Sequence, residues 1–226
     1  MMLPLLFTGC GSLMHHEVQK GETLYSISWR YGQDVNQIAA WNDLNAPYVI
    51  HQGQQLRIAP PLNKTNPALL KPIRRDQTTS PNVTTAPITQ AQVRTAPSKA
   101  KAEPLTWRWP AEGKLLRTFS AKKMDRKGID ISGTAGTAVR AAASGRVVYS
   151  GNGLTHYGNL LIIKHNESYL SAYAHNEKLL VKEGMVVKKG QKIAAMGATG
   201  SDRVMLHFEI RRNGKPVDPQ RYLPKR

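Results

Sequence analysis

Gly145-Arg146-Val147-Val148-Tyr149, Asn159-Leu160-Leu161-Ile162-Ile163-Lys164 and Tyr169-Leu170-Ser171-Ala172-Tyr173 follow one another between positions 145 and 173. Each run is short, rich in β-branched and aromatic residues, and bounded by glycine or polar turn residues. That is the pattern of strands joined by tight connections. Gly190-Gln191-Lys192-Ile193-Ala194 and Leu206-His207-Phe208-Glu209-Ile210 continue it downstream. A helical period is nearly absent from residues 105–226, so this stretch is expected to be a mainly antiparallel all-β domain.

Upstream of that domain the composition changes. Eight prolines and no aromatic residue lie between positions 60 and 104, among many Thr, Ala, Asn and Gln. Such a segment buries too little apolar surface to offset its ordering entropy. Residues 61–104 therefore read as a disordered Pro/Thr-rich linker, an extended tether.

Residues 17–60 read as a second, small α+β domain in the order strand, helix, helix, strand. Val18 opens the first strand. Thr23 is a plausible N-cap after the turn Gly21-Glu22, and Leu24, Ile27 and Tyr31 share one helical face. Gly32 ends this helix. Asp34 starts the next, with Gln37 three residues on in capping-box spacing, and Val35, Ile38 and Ala39 form its apolar face. Gln55-Leu56-Arg57-Ile58 is the closing strand.

The chain carries a formal charge of +17, unevenly placed. Residues 1–60 hold three Lys/Arg against four Asp/Glu, residues 61–104 seven against two, and residues 105–226 the remaining 22 against nine. The basic surface belongs to the linker and the β domain and favours polyanionic partners. No nucleic-acid-binding motif accompanies it, so nucleic acid is not an expected partner. Wall peptides bearing carboxylates, anionic lipid head groups and simple solubility all remain compatible with it. No run of 18 or more apolar residues occurs, and the single cysteine, Cys10, excludes an internal disulfide.

Several motifs carry resemblances. Leu5-Leu6-Phe7-Thr8-Gly9-Cys10 resembles the lipobox of bacterial lipoproteins, which makes residues 1–10 a signal segment and Cys10 the lipidated residue. Phe7 stands where Leu is usual and no basic residue precedes the apolar stretch; a free thiol is the alternative. Gly11 after Cys10 resembles the outer-membrane-directed pattern.

Val18-x-x-Gly21-Glu22-Thr23-Leu24-x-x-Ile27, Asn42-x-Leu44 and Gly53-Gln54-x-Leu56-x-Ile58 resemble a LysM module. The resemblance implies binding to N-acetylglucosamine-containing glycan strands of peptidoglycan through Gly21, Glu22, Thr23, Leu24, Asn45, Ala46, Tyr48 and Ile50.

Lys127-Gly128-Ile129-Asp130-Ile131, Tyr157-Gly158-Asn159, Tyr173-Ala174-His175, Gly197-x-Thr199-Gly200 and Leu206-His207-Phe208-Glu209-Ile210-Arg211 resemble the LytM, or M23, family of zinc endopeptidases. The family's metal ligands are the His and Asp of His-x-x-x-Asp and the second His of His-x-His. Here Arg126 occupies the first ligand position, while Asp130 and His207 match the other two. Of the assisting histidines one matches His175, and Met205 replaces the other. A guanidinium has donors and no lone pair, and about 4 Å from a metal ion its repulsion is on the order of 4 kcal/mol at an effective dielectric of roughly 20. A thioether moves no proton. The resemblance thus implies a degenerate site with no cofactor and no catalysis. The alternative keeps a metal on Asp130, His175 and His207, with His156 or His165 helping. Arg126 is expected to pair with Asp130 across the former metal position.

A LysM module, a lipobox and a degenerate M23 domain together resemble the NlpD type of murein hydrolase activator. This implies activation of a periplasmic N-acetylmuramoyl-L-alanine amidase of the AmiC kind during septal wall splitting and daughter-cell separation. The implied location is the periplasmic side of the outer membrane at the division site, with a lipid anchor. The docking groove is expected to be Arg126, Asp130, Tyr173, His175, Met205 and His207, rimmed by Ser201-Asp202-Arg203-Val204. An active zinc endopeptidase and a structural wall tether are the competing readings.

Overall fold

The computed structural model describes residues 15–61, 105–123 and 126–226. The expected signal segment with Cys10 and, apart from residue 61, the expected linker at 61–104 lie outside these residues.

The N-terminal module runs β1 (His15–Glu17), α1 (Leu24–Tyr31), α2 (Val35–Trp41) and β2 (Gln55–Arg57), with β1 and β2 antiparallel. Thr23 caps α1: its Oγ1 accepts from the Ser26 amide, and the Ser26 hydroxyl accepts from the Thr23 amide. Gly32 closes α1 in the left-handed region at φ 62°. Asp34 caps α2 by accepting from the Asn36 amide, not through a box with Gln37. Leu24, Ile27, Val35, Ile38 and Leu56 form the core. Tyr31 differs from its expected place: it is 39% exposed, and its hydroxyl meets His16 Nδ1 at 3.0 Å. Val18 follows β1 rather than opening it, though its amide still pairs with the Gln54 carbonyl.

The C-terminal module is the expected antiparallel sheet. Its strands are β3 (Leu115–Arg117), β4 (Ile129–Ser132), β5 (Ala138–Arg140), β6 (Gly145–Gly151), β7 (Asn159–Lys164), β8 (Tyr169–Leu179), β9 (Val186–Val187), β10 (Lys192–Met196), β11 (Met205–Arg212) and β12 (Lys215–Val217). The main path is β3-β4-β11-β8-β7-β6-β9; β10 pairs with β5 and β8, and β12 pairs with β11. Leu206, Phe208 and Ile210 point from β11 into the main core with Leu161, Ile163 and Tyr173. Period-2 alternation then puts Met205, His207, Glu209 and Arg211 on the opposite face.

The run Leu160-Leu161-Ile162-Ile163 does not alternate, and all four side chains are fully buried. A strand of this kind is covered on both faces. Leu160 and Ile162 form a second cluster with Tyr149, Ala172, Ala174 and Trp29, the last supplied by α1. The two modules keep their own cores, and they pack together into one compact unit through this second face.

Candidate functional site

Neighbouring strands set the centre of the site in register. His207 of β11 lies opposite Asp130 of β4 and Ala174 of β8. His207 Nδ1 and Asp130 Oδ1 are 2.6 Å apart, and His207 Nε2 lies 3.2 Å from Glu209 Oε1. Glu209 also accepts from the Tyr157 hydroxyl at 2.7 Å and from Arg211 Nε at 3.0 Å. Burial lowers the His207 pKa, but hydrogen bonds to Asp130 and Glu209 outweigh it and hold the value near 9. Both ring nitrogens of the resulting imidazolium donate, leaving no lone pair free. Burial raises Glu209, yet Arg211 and His207 bring it down to about 2. Tyr157 is driven well above its ordinary range, first by burial and then by the Glu209 charge.

His207 is raised above its unfolded value of 6.5, so its ion pairs contribute fully below that pH and are lost as pH rises through about 9. A histidine resonance titrating near 9, with a denaturation midpoint that falls across the same range, is the expected result. Titration near 6.5 would contradict the pairing.

His175 is held separately. Its φ of 64° lies in the left-handed region, and its Nδ1 meets the Thr199 carbonyl at 2.9 Å. Thr199 is fixed because its Oγ1 accepts from the Asn159 amide and donates to the Asn176 carbonyl. Gly158, at φ 57°, passes so close to the Thr199 backbone that a Cβ would strike it. Burial pushes the His175 pKa below its ordinary value, and the nearby His207 adds to that.

Asp130, His175, Met205 and His207 line one groove of about 780 Å³ with Arg117, Lys127, His156, Ser201 and Asp202. The expected Arg126–Asp130 pairing is replaced: the guanidinium beside Asp130 is that of Arg117, whose Nε is 3.5 Å from Oδ2. Arg117 faces Asp130 in the β3–β4 register, whereas Arg126 Nε is enclosed without a hydrogen-bond partner and lines no part of the groove. Tyr173 is corrected too. It is fully buried on the core face, where its hydroxyl accepts from the Ala142 amide and from the Ser171 hydroxyl. His165 is bonded to Ser144 and Ser171 and sits at a pKa of about 4 through burial, away from the groove.

In the N-terminal module, Glu22, Thr23, Leu24, Tyr48 and Ile50 line one cavity of about 280 Å³, and Asn45 and Ala46 line another with Tyr48. Gly21 lines neither. The Glu22 carboxylate also ties the module together, meeting His16 Nε2 at 2.6 Å, Arg30 Nη2 at 2.8 Å and the Gln19 amide at 2.9 Å. Trp29 and Arg30 of α1, unforeseen from the sequence, line the large groove.

Comparison with known proteins finds two family matches. Residues 16–59 match the LysM domain and residues 124–219 match Peptidase family M23. The "Lipoprotein NlpD/LppB homolog" of Pseudomonas aeruginosa is 46% identical over 228 residues, spanning 92% of this chain and 76% of that one. The "Murein hydrolase activator NlpD" of Escherichia coli is 40% identical over 257 residues, spanning 93% and 68%. Among solved structures, a zinc-containing peptidase from Vibrio cholerae is 34% identical over 51% of this chain and 39% of its own, with a TM-score of 0.47. The chain belongs to the NlpD/LppB family of lipoproteins, with a LysM module and an M23-type domain.

Proposed function

We propose that this protein is a non-catalytic activator of a murein hydrolase, and that its degenerate zinc groove is the surface the hydrolase docks on. The observation that carries this reading is the state of the groove. It is about 780 Å³ in size and keeps Asp130, His175 and His207 in its lining, while Arg126 and Met205 stand in the chain where the M23 motif has its other two histidines. Three protein ligands and one open position make a hydrolytic zinc site. Arg126, which matches the first ligand position, has no lone pair to offer and lines no part of the groove, so Asp130 and His207 are the two motif ligands that remain. Met205 stands where a proton carrier would act. The residues present do not fit zinc.

The groove's own groups supply recognition instead. Arg117 and Lys127 offer cations, Met205 an adaptable apolar contact, and His175 a ring fixed by its bond to Thr199. The hydrolase is a periplasmic N-acetylmuramoyl-L-alanine amidase of the AmiC kind, which fits the activator names of the relatives. The LysM module holds the protein on wall glycan, and a lipid on Cys10 holds it at the outer membrane, enriched at the division site. Purified chain is expected to release nothing from labelled sacculi alone and to raise release by the amidase at least tenfold. Release by the chain alone would overturn the reading.

A further inference from the structure

The LysM module is packed on the same sheet face that carries the groove. The Trp29 ring lies beneath the Arg211 guanidinium, 3.5 Å from centroid to Cζ, and its carbonyl accepts from Arg211 Nη1 at 2.8 Å. Arg30 Nη2 donates to the Gly153 carbonyl at 3.2 Å, and Lys215 Nζ to the Gly32 carbonyl at 3.3 Å. At Gly214, in the β11–β12 turn, a Cβ would come within 2.5 Å of the Gln33 carbonyl. The modules touch there at backbone distance.

This packing walls two openings at once. At one end, Trp29 and Arg30 form part of the groove wall. At the other, the Thr23 hydroxyl donates to the Val148 carbonyl at 3.2 Å, and the cavity lined by Thr23, Leu24, Tyr48 and Ile50 is walled on its far side by Val147, Val148, Glu183 and Gly184. Its volume of about 280 Å³ is below what a pocket for one small ligand ordinarily provides, roughly 300–1,000 Å³. A glycan strand is a polymer that must pass in and out of its groove.

We propose that the LysM module is a glycan-released latch: a strand of N-acetylglucosamine-containing glycan and strand β6 of the M23-type domain compete for one LysM face, so binding to wall glycan frees the groove. This rests on the LysM module being a glycan binder. The docked form takes up the LysM face, and the apparent affinity for glycan is reduced by the fraction of chains that are undocked.

The test uses the full chain, a soluble N-acetylglucosamine oligomer as probe, calorimetry for affinity and small-angle X-ray scattering for size. Gly214→Asn undocks the modules: asparagine tolerates the φ of 73° that the turn requires, while its Cβ meets Gln33. The variant is expected to bind the oligomer about tenfold more tightly and to have a larger radius of gyration. The unaltered chain is expected to expand when the oligomer is added. Lys215→Glu, which sets a carboxylate against the carbonyl end of α1, is expected to shift both readouts the same way by a smaller factor. An oligomer that binds without expanding the chain, with equal or weaker binding by the variants, would overturn the latch and leave glycan binding intact. No binding by any of the chains would remove both.

Discussion

Replacing Arg211 with methionine is expected to lower the unfolding free energy by about 3–5 kcal/mol, the scale of stripping one partner from a buried ion pair. Arg211 is 1% exposed and Glu209 is fully buried, joined by an Nε–Oε2 contact of 3.0 Å. The substitution leaves Glu209 facing His207 and Tyr157 without its guanidinium, and it removes the stack over Trp29. Methionine keeps most of the volume, so the cost is electrostatic rather than a cavity. The double substitution Glu209→Gln with Arg211→Met removes the orphaned charge and is expected to recover part of the loss. Denaturant midpoints at fixed slope measure both. A single-variant loss below about 1 kcal/mol would mean that the pair carries no net stability.

The largest functional effect is expected from reversing a groove cation. Lys127→Glu turns a positive side chain of the groove lining into a carboxylate and leaves the Arg117–Asp130 pair in place. Charge reversal at a docking surface places like charges where the partner has matched opposite ones, at a cost of several kcal/mol. Stimulation of the amidase is expected to fall at least tenfold, while binding to wall glycan through the LysM module stays intact. Equal stimulation by the folded variant, with its circular dichroism unchanged, would move the docking surface elsewhere.

The strands were legible because their pattern is local. Asn159–Lys164 is a strand with the expected bounds, and Met205–Arg212 extends the expected run by one residue at its start and two at its end. Tyr173 was misplaced for a specific reason. Two residues apart on a strand, Tyr173 and His175 share a face by alternation. The left-handed φ of 64° at His175 breaks that phase, so Tyr173 enters the core while His175 turns to the groove. Arg126 matches a ligand's place in the M23 motif, yet Arg117 reaches Asp130 through a β3–β4 pairing that spacing does not encode. Trp29 was the least legible: its partner Arg211 lies 182 positions away. The unbroken apolar run Leu160–Ile163 was the available hint, since a strand buried on both faces needs a second layer, and the LysM module supplies it.

If the groove acts by docking, without a metal, stimulation survives removal of any metal. The most direct measurement treats the purified chain with a strong chelator, removes the chelator, and only then mixes the chain with the amidase and labelled sacculi. Stimulation equal to that of untreated chain, with no release by the chain alone, is the expected result. Stimulation lost on stripping and restored by added zinc would contradict it.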